Sequence, residues 1–230
     1  MSQSYLFEPA PRPTVPIVGM EMVYPVRRIY CVGRNYADHA REMGHDPDRE
    51  PPFFFSKPAD ALVVGSAPVA YPPLTKELHY EGELVVALAR GGRNLNREEA
   101  AAAISGFAVG NDLTRRDMQA EAKALRRPWD LSKGFDGSAV VGPISLADRV
   151  GVCARGRIAS YVNDELRQDA DLGQMIWPVI DVIQFLSHSV TLAAGDLIMT
   201  GTPSGVGRLE RGDVVRVEIE NLEPIETHIL

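Results

Sequence analysis

The sequence predicts a single domain of the α+β class, mainly β, and three observations lead there. Strand-like runs outnumber helical ones along the 230 residues. They do not alternate regularly with helices, as a parallel βαβ array would require. Apolar residues make up 45% and charged residues 24%, an ordinary globular balance in a chain long enough to bury one large core.

The elements follow in order. Residues 1–25 are Pro-rich and read as an irregular extension lying over the body. "RRIYCVGRNY" is a short strand ending in a Gly-Arg-Asn turn. "ADHAREMG" gives one or two helical turns stopped by Gly44, and "DPDREPP" a polar loop. "FFFSKPADALV" is a strand closed by a Lys-Pro break. Leu84–Leu88, bounded by "RGGRN", reads as a buried strand because it is continuously apolar and short.

"NREEAAAAISG" has a good Asn96 cap and acidic residues in its first helical turn. "ISGFAVGND" reads as a strand and "LTRRDMQAEAKALRR" as a helix ended by Pro128. "ARGRIASYVNDELRQD" is a hairpin turning at Asn163-Asp164, and "WPVIDVIQFLSHS" is an amphipathic helix. "DLIMTGTPSGVG" is a strand running into a Gly-rich loop, and "DVVRVEIENLEPIETHIL" a closing hairpin.

Charge and cysteine usage exclude several function classes. A net charge of −7 and a pI near 5.3 give no electrostatic reason for a nucleic-acid or membrane-surface partner. The two cysteines, Cys31 and Cys153, form no CxxC, which fits a reducing compartment. The N-terminus lacks a basic region followed by an apolar one, so no secretory signal is expected. Residues 175–195 contain Asp181, Gln184 and His188 and do not read as a spanning helix. The expected location is the cytoplasm.

Glu81 and Glu83 stand at the mouth of the apolar strand. Residues i and i+2 share a strand face, so two carboxylates lie side by side where a core is expected. A divalent cation would reconcile them, with Asp112 at the end of "GFAVGND" as a third ligand. Such an all-oxygen set suits Mg²⁺, Mn²⁺ or Ca²⁺ better than zinc. A solvated strand end beside Lys76 or Arg90 is the competing reading of the same spacing. Asp112, Arg116 and Gln119 fall at i, i+4 and i+7, one face of a helix, either to bind an anionic ligand or as an ordinary exposed face.

Taken together, "VGRNYADHAREMG", "HYEGELVVAL", "GNDLTRRDMQ", "PWDLSKGFDGSAVVGP", "VNDELRQD" and "GDLIMTGTPSGVG" resemble the fumarylacetoacetate hydrolase family, its short bacterial fumarylpyruvate hydrolases and acylpyruvases above all. The similarity covers residues 24–230 as a catalytic domain and leaves residues 1–23 as an N-terminal extension. It implies a β-roll with a few peripheral helices, a homodimer, and Mg²⁺ or Mn²⁺ held by Glu81, Glu83 and Asp112. It also implies His39 and Glu42 as a water-activating pair on a mobile lid and Lys133 as the active-site lysine. Arg116, Gln119 and Thr202 match substrate-contacting positions, Thr202 receiving a carboxylate through its hydroxyl and amide.

The substrate so implied is a small 2,4-diketo acid, with fumarylpyruvate of gentisate-type aromatic catabolism foremost. Water attacks the distal carbonyl and the tetrahedral intermediate expels the enolate of pyruvate. His39 has an ordinary pKa near ~6.5, suited to a general base. Lys133 acts as an oxyanion donor. Decarboxylation of oxaloacetate, or an isomerase or decarboxylase step on a related oxo-diacid, would use the same site. A non-catalytic metal-binding domain is the remaining alternative. On spacing alone, His39 and Glu42 describe a solvated helix face more often than a catalytic pair, and only the family resemblance reverses that reading. "TGTPSGVG" lacks the Lys-Ser/Thr of a P-loop and suits a carboxylate rather than a nucleotide. Trp129 and Trp177 read as packing residues, and Lys57 either reaches the site or caps a strand.

Overall fold

The computed structural model describes residues 4–42 and 51–230. Gly44, His45 and most of the polar loop "DPDREPP" lie outside the described residues. An eight-stranded mixed sheet forms the centre. Along it run Phe53–Lys57, Arg28–Gly33, Asp196–Met199, Gly82–Leu88, Ile104–Asp112, Ala139–Val141 and Leu62–Val64, with Ser145–Leu146 also paired to Ile104–Asp112. Arg28–Gly33 runs parallel to Asp196–Met199, and Ala139–Val141 parallel to Leu62–Val64, while the other neighbours are antiparallel. The mainly β, α+β class is therefore as predicted.

Gly82–Leu88 shows why its sequence does not alternate. Leu84, Val86 and Leu88 face one apolar cluster with Phe107, Ile183 and Val217, while Val85 and Ala87 face a second with Val15, Ile29 and Leu197. A strand buried on both faces is apolar throughout. The first cluster is closed by a four-stranded antiparallel sheet, Glu165–Asp171, Arg157–Val162, Val214–Ile219 and Ile225–His228, and by the helix Val179–Ser189. Its hairpin turns at Asn163 and Asp164, both at positive φ, as the Asn-Asp signal requires.

The second cluster is covered by the N-terminal segment, which departs from the irregular extension expected. Thr14–Pro16 and Val23–Pro25 pair as an antiparallel ribbon, burying Val15 and Tyr24. The Tyr24 hydroxyl accepts from the Leu88 amide at 3.0 Å and lies 2.8 Å from the Leu88 and Asp196 carbonyls. Prolines are tolerated because this ribbon is an edge pair.

Helix Arg97–Ala103 carries the predicted cap: Asn96 accepts from the Glu99 amide at 2.9 Å and Glu99 reciprocates at 2.9 Å. The next helix starts later than predicted, at Arg116. Thr114–Arg115 is instead a strand beside Leu78–His79, whose other edge pairs with Arg208–Leu209. Asp112 is thus a strand residue, and the proposed single helical face from Asp112 to Gln119 does not exist. A short helix, Asp130–Lys133, was not legible because it spans one turn.

Candidate metal centre and active site

Backbone register brings the three carboxylates together. Gly82 pairs with Asn111, so one step outward Glu81 lies beside Asp112, and the Asp112 amide donates to the Glu81 carbonyl at 2.8 Å. Glu83 follows Glu81 by two residues and shares its face. One ligand oxygen from each of Glu81, Glu83 and Asp112 lies within 4.8 Å of the others, and all three residues are buried.

Cations from three segments surround them. Lys133 Nζ, at the end of Asp130–Lys133, donates to Glu81 Oε2 and Asp112 Oδ2 at 2.8 Å each. Arg116 Nη2 donates to Glu81 Oε1 at 2.5 Å, and its Nη1 to Gln119 Oε1 at 2.7 Å. Lys57, its side chain fully buried, reaches the Leu113 carbonyl at 3.1 Å and the Lys133 carbonyl, with Nζ 2.7 Å from Asp112 Oδ1. That last contact has the length of an ion pair but not hydrogen-bond alignment, so Asp112 Oδ1 is buried without a hydrogen-bond donor.

The titration behaviour follows. Burial alone would raise the Glu81 pKa, but Lys133 and Arg116 outweigh it and hold the group below its usual range. Burial pushes Glu83 up, Asp112 and Glu81 push it further, and its Gly201 amide bond at 2.7 Å does not compensate. Lys133 is lowered by burial yet raised more by Asp112 and Glu81, and stays charged. A site with an underaligned Asp112 oxygen and a Glu83 that resists ionisation fits a hard dication, and the donors are all carboxylate oxygens.

The remaining predicted residues other than Glu42 line one pocket with Glu81 and Glu83. His39, Glu81, Glu83, Arg116, Gln119, Lys133 and Thr202 all contribute to it. His39 lies on the helix Ala37–Glu42, with Nδ1 3.2 Å from Glu42 Oε2. A carboxylate there favours the proton on Nδ1 and leaves Nε2 as acceptor. Burial lowers the His39 pKa, more than Glu81 and Glu42 raise it. Glu42 Oε1 is also 3.4 Å from the Gly205 amide in the Gly-rich loop.

Thr202 lies in that loop. Its hydroxyl donates to the Gly82 carbonyl at 2.9 Å and accepts from Gln168 at 2.8 Å, so it is already engaged within the protein. The loop begins at Gly201, at φ +96, where a Cβ would lie 2.8 Å from Asn35 Cβ. Only glycine admits this approach, which aims the amide at Glu83. Asn35 holds the loop from the other side, donating to the Thr200 carbonyl at 2.8 Å.

Sequence reasoning missed Arg34, Lys123, Phe53 and Phe55, which line the pocket. Trp129, read as packing, both packs on Phe53 at 5.3 Å and lines the pocket. Lys123 carried a readable signal: it follows Arg116 and Gln119 on one helical face.

A buried carboxylate triad, a paired lysine and a histidine on one pocket define a metal-dependent enzyme. The sequence matches the model of fumarylacetoacetate (FAA) hydrolase, C-terminal, over residues 28–230, and the chain belongs to that family. The structure of a Pseudomonas aeruginosa fumarylpyruvate hydrolase in complex with Mn²⁺ and pyruvate superposes with a TM-score of 0.97 at 45% identity, covering 99% of each chain. An oxaloacetate decarboxylase of Dictyostelium discoideum mitochondria is 37% identical over 86% of this chain and 90% of its own length. The oxaloacetate tautomerase YcgM of Escherichia coli is 38% identical over 88% of this chain and 92% of its own. The β-rich fold and the divalent-metal centre agree with the Mn²⁺-bound Pseudomonas aeruginosa structure. Among the described residues, no helix is long and apolar enough to cross a membrane.

Proposed function

We propose that this protein hydrolyses the C–C bond of an acylpyruvate, with fumarylpyruvate the leading substrate, giving fumarate and pyruvate. The observation that carries the reading is His39, paired with Glu42, facing the pocket of the carboxylate triad. Decarboxylation needs no activated water, whereas hydrolysis does.

Glu81, Glu83 and Asp112 would hold Mg²⁺ or Mn²⁺, which supplies Lewis-acid polarisation and orientation of the 2-oxo acid end. Arg116 and Gln119 bind the anionic substrate from their helix face. The Thr202 amide offers a donor to its carboxylate, since the hydroxyl is engaged with Gly82. His39 Nε2 takes the proton of the attacking water, and Glu42 stabilises the resulting imidazolium. Lys133, charged and held at 2.8 Å by two carboxylates, stabilises the developing oxyanion as the pyruvate enolate departs. The same reading takes residues 24–230 as the catalytic domain, residues 1–23 as its extension and the assembly as a homodimer. It places the protein in the cytoplasm, supported by Cys31 and Cys153 both being free and buried.

The oxaloacetate relatives support a second reading, decarboxylation or tautomerisation of oxaloacetate in the same pocket. Ultraviolet loss of the enolised diketone, run in parallel on fumarylpyruvate, acetylpyruvate and oxaloacetate, separates them. The expected result is fastest loss of fumarylpyruvate, abolished by exhaustive chelation and restored by Mg²⁺ or Mn²⁺. Turnover of oxaloacetate alone refutes hydrolysis, and full activity after chelation refutes the metal role.

A further inference from the structure

Arg116, Gln119 and Lys123 share the pocket-facing side of the helix Arg116–Ala124. Arg116 is bonded to Glu81 and Gln119. Lys123 differs: among the described residues no carboxylate pairs with it, and its ammonium stands 5.3 Å from the ring centre of Trp129. The guanidinium of Arg34, also lining the pocket, stands 5.1 Å from the ring centre of Phe53. Phe53 and Trp129 meet edge to face at 5.3 Å. Two cations are thus mounted on one aromatic pair.

The lining of the pocket differs in burial and charge. Glu83, Lys133 and Thr202 are buried. Arg34, Lys123 and Trp129 are partly exposed. The carboxylates Glu81, Glu83 and Asp112 are matched in number by Lys57, Lys133 and Arg116. Lys123 is therefore surplus to that match even before a dication is counted. Burial, with repulsion from Arg116 and Arg34, presses the Lys123 pKa down to about 8, a strain that a docked anion relieves. A ligand with a single carboxylate, bound at the metal end, leaves this surplus standing. A second carboxylate on the same ligand answers it.

We propose that Lys123 is a specificity-determining residue that receives a second carboxylate on the acyl arm of the substrate, so that the site selects dicarboxylic over apolar acylpyruvates. The orientation of the substrate, with its 2-oxo acid end at the triad, rests on the function proposed above. The ammonium is mobile enough to meet a carboxylate and rigid enough, against Trp129, to favour one position.

The test pairs ligands that differ at the acyl end. Mg²⁺-loaded wild type, Lys123→Met and Lys123→Arg are titrated calorimetrically with 2-oxoadipate and with pyruvate. kcat/KM is measured on fumarylpyruvate and acetylpyruvate. Wild type is expected to favour the dicarboxylate of each pair. Lys123→Met should shrink that preference by about ten- to a hundredfold, the range for a charge-assisted hydrogen bond, and Lys123→Arg should restore most of it. Equal losses on both members of each pair would assign Lys123 a packing role and overturn the proposal, as would a wild type with no preference. Loss of the 2-oxoadipate preference in a protein inert on every acylpyruvate upholds the subsite and removes the hydrolase reading.

Discussion

Among the described residues, Glu83 is the carboxylate of the triad without a lysine or arginine in direct contact, so Glu83→Gln isolates the cost of crowding these charges. At 4.8 Å and an effective dielectric of about 20, one carboxylate pair repels by about 3.5 kcal/mol. Glu83 faces two such partners, about 7 kcal/mol together, and the Lys133 ammonium beside them returns about 4–5 kcal/mol of it. A net cost of about 2–3 kcal/mol follows, which glutamine removes while its carbonyl still accepts from Gly201. For a domain of this size the gain corresponds to about 5–10 °C in Tm. The sign with pH is fixed by the raised pKa. Folded Glu83 holds its proton more tightly than the unfolded chain does, so wild-type stability declines as pH rises above the ordinary 4.5 toward the elevated native value. The variant's advantage is therefore full at high pH and vanishes toward pH 4.5. Thermal melts in chelator across this range measure it, and melts with added Mg²⁺ complete the argument: wild type should be stabilised by the ion and Glu83→Gln much less. A chelated variant less stable than wild type at pH 8, or one equally responsive to Mg²⁺, would refute the reasoning.

His39 must be neutral to accept a proton, and burial lowers its pKa, so the acid limb of hydrolysis should fall below pH 6.5. In His39→Ala that limb should disappear from the residual rate, with acylpyruvate hydrolysis reduced by about 10²–10⁴-fold and oxaloacetate decarboxylation far less. Lys57→Met strands Asp112 Oδ1 and two backbone carbonyls in the interior, at a cost of about 3–5 kcal/mol. Denaturant titration should show it as a lower midpoint with an unchanged slope.

Legibility differed by the kind of signal. Leu84–Leu88, the Asn96 cap and the Asn163-Asp164 turn were readable because each depends on neighbours a few residues apart. The Glu81–Glu83 spacing raised the metal question, but Asp112 joins them through sheet register rather than through sequence proximity. The strand Thr114–Arg115 escaped because its helix-forming sequence was overruled by pairing with Leu78–His79. Lys57 was ambiguous from a Lys-Pro break alone; only the fold reveals that its ammonium ends under Asp112. The N-terminal ribbon hid behind its prolines, which an edge strand accepts.

The strand carrying both glutamates, packed on each side, has a further consequence for ion choice. Its main chain has nowhere to move, and Asp112 is registered to it by a backbone hydrogen bond. Any adjustment to ionic radius falls to side-chain torsions alone, so the pocket gauges an ion like a fixed caliper. Two donors on an ion with bonds of about 2.0–2.1 Å stand at most about 4.2 Å apart, so oxygens spaced up to 4.8 Å must draw in by those torsions for Mg²⁺, and less so for Ca²⁺ with its bonds of about 2.3–2.6 Å.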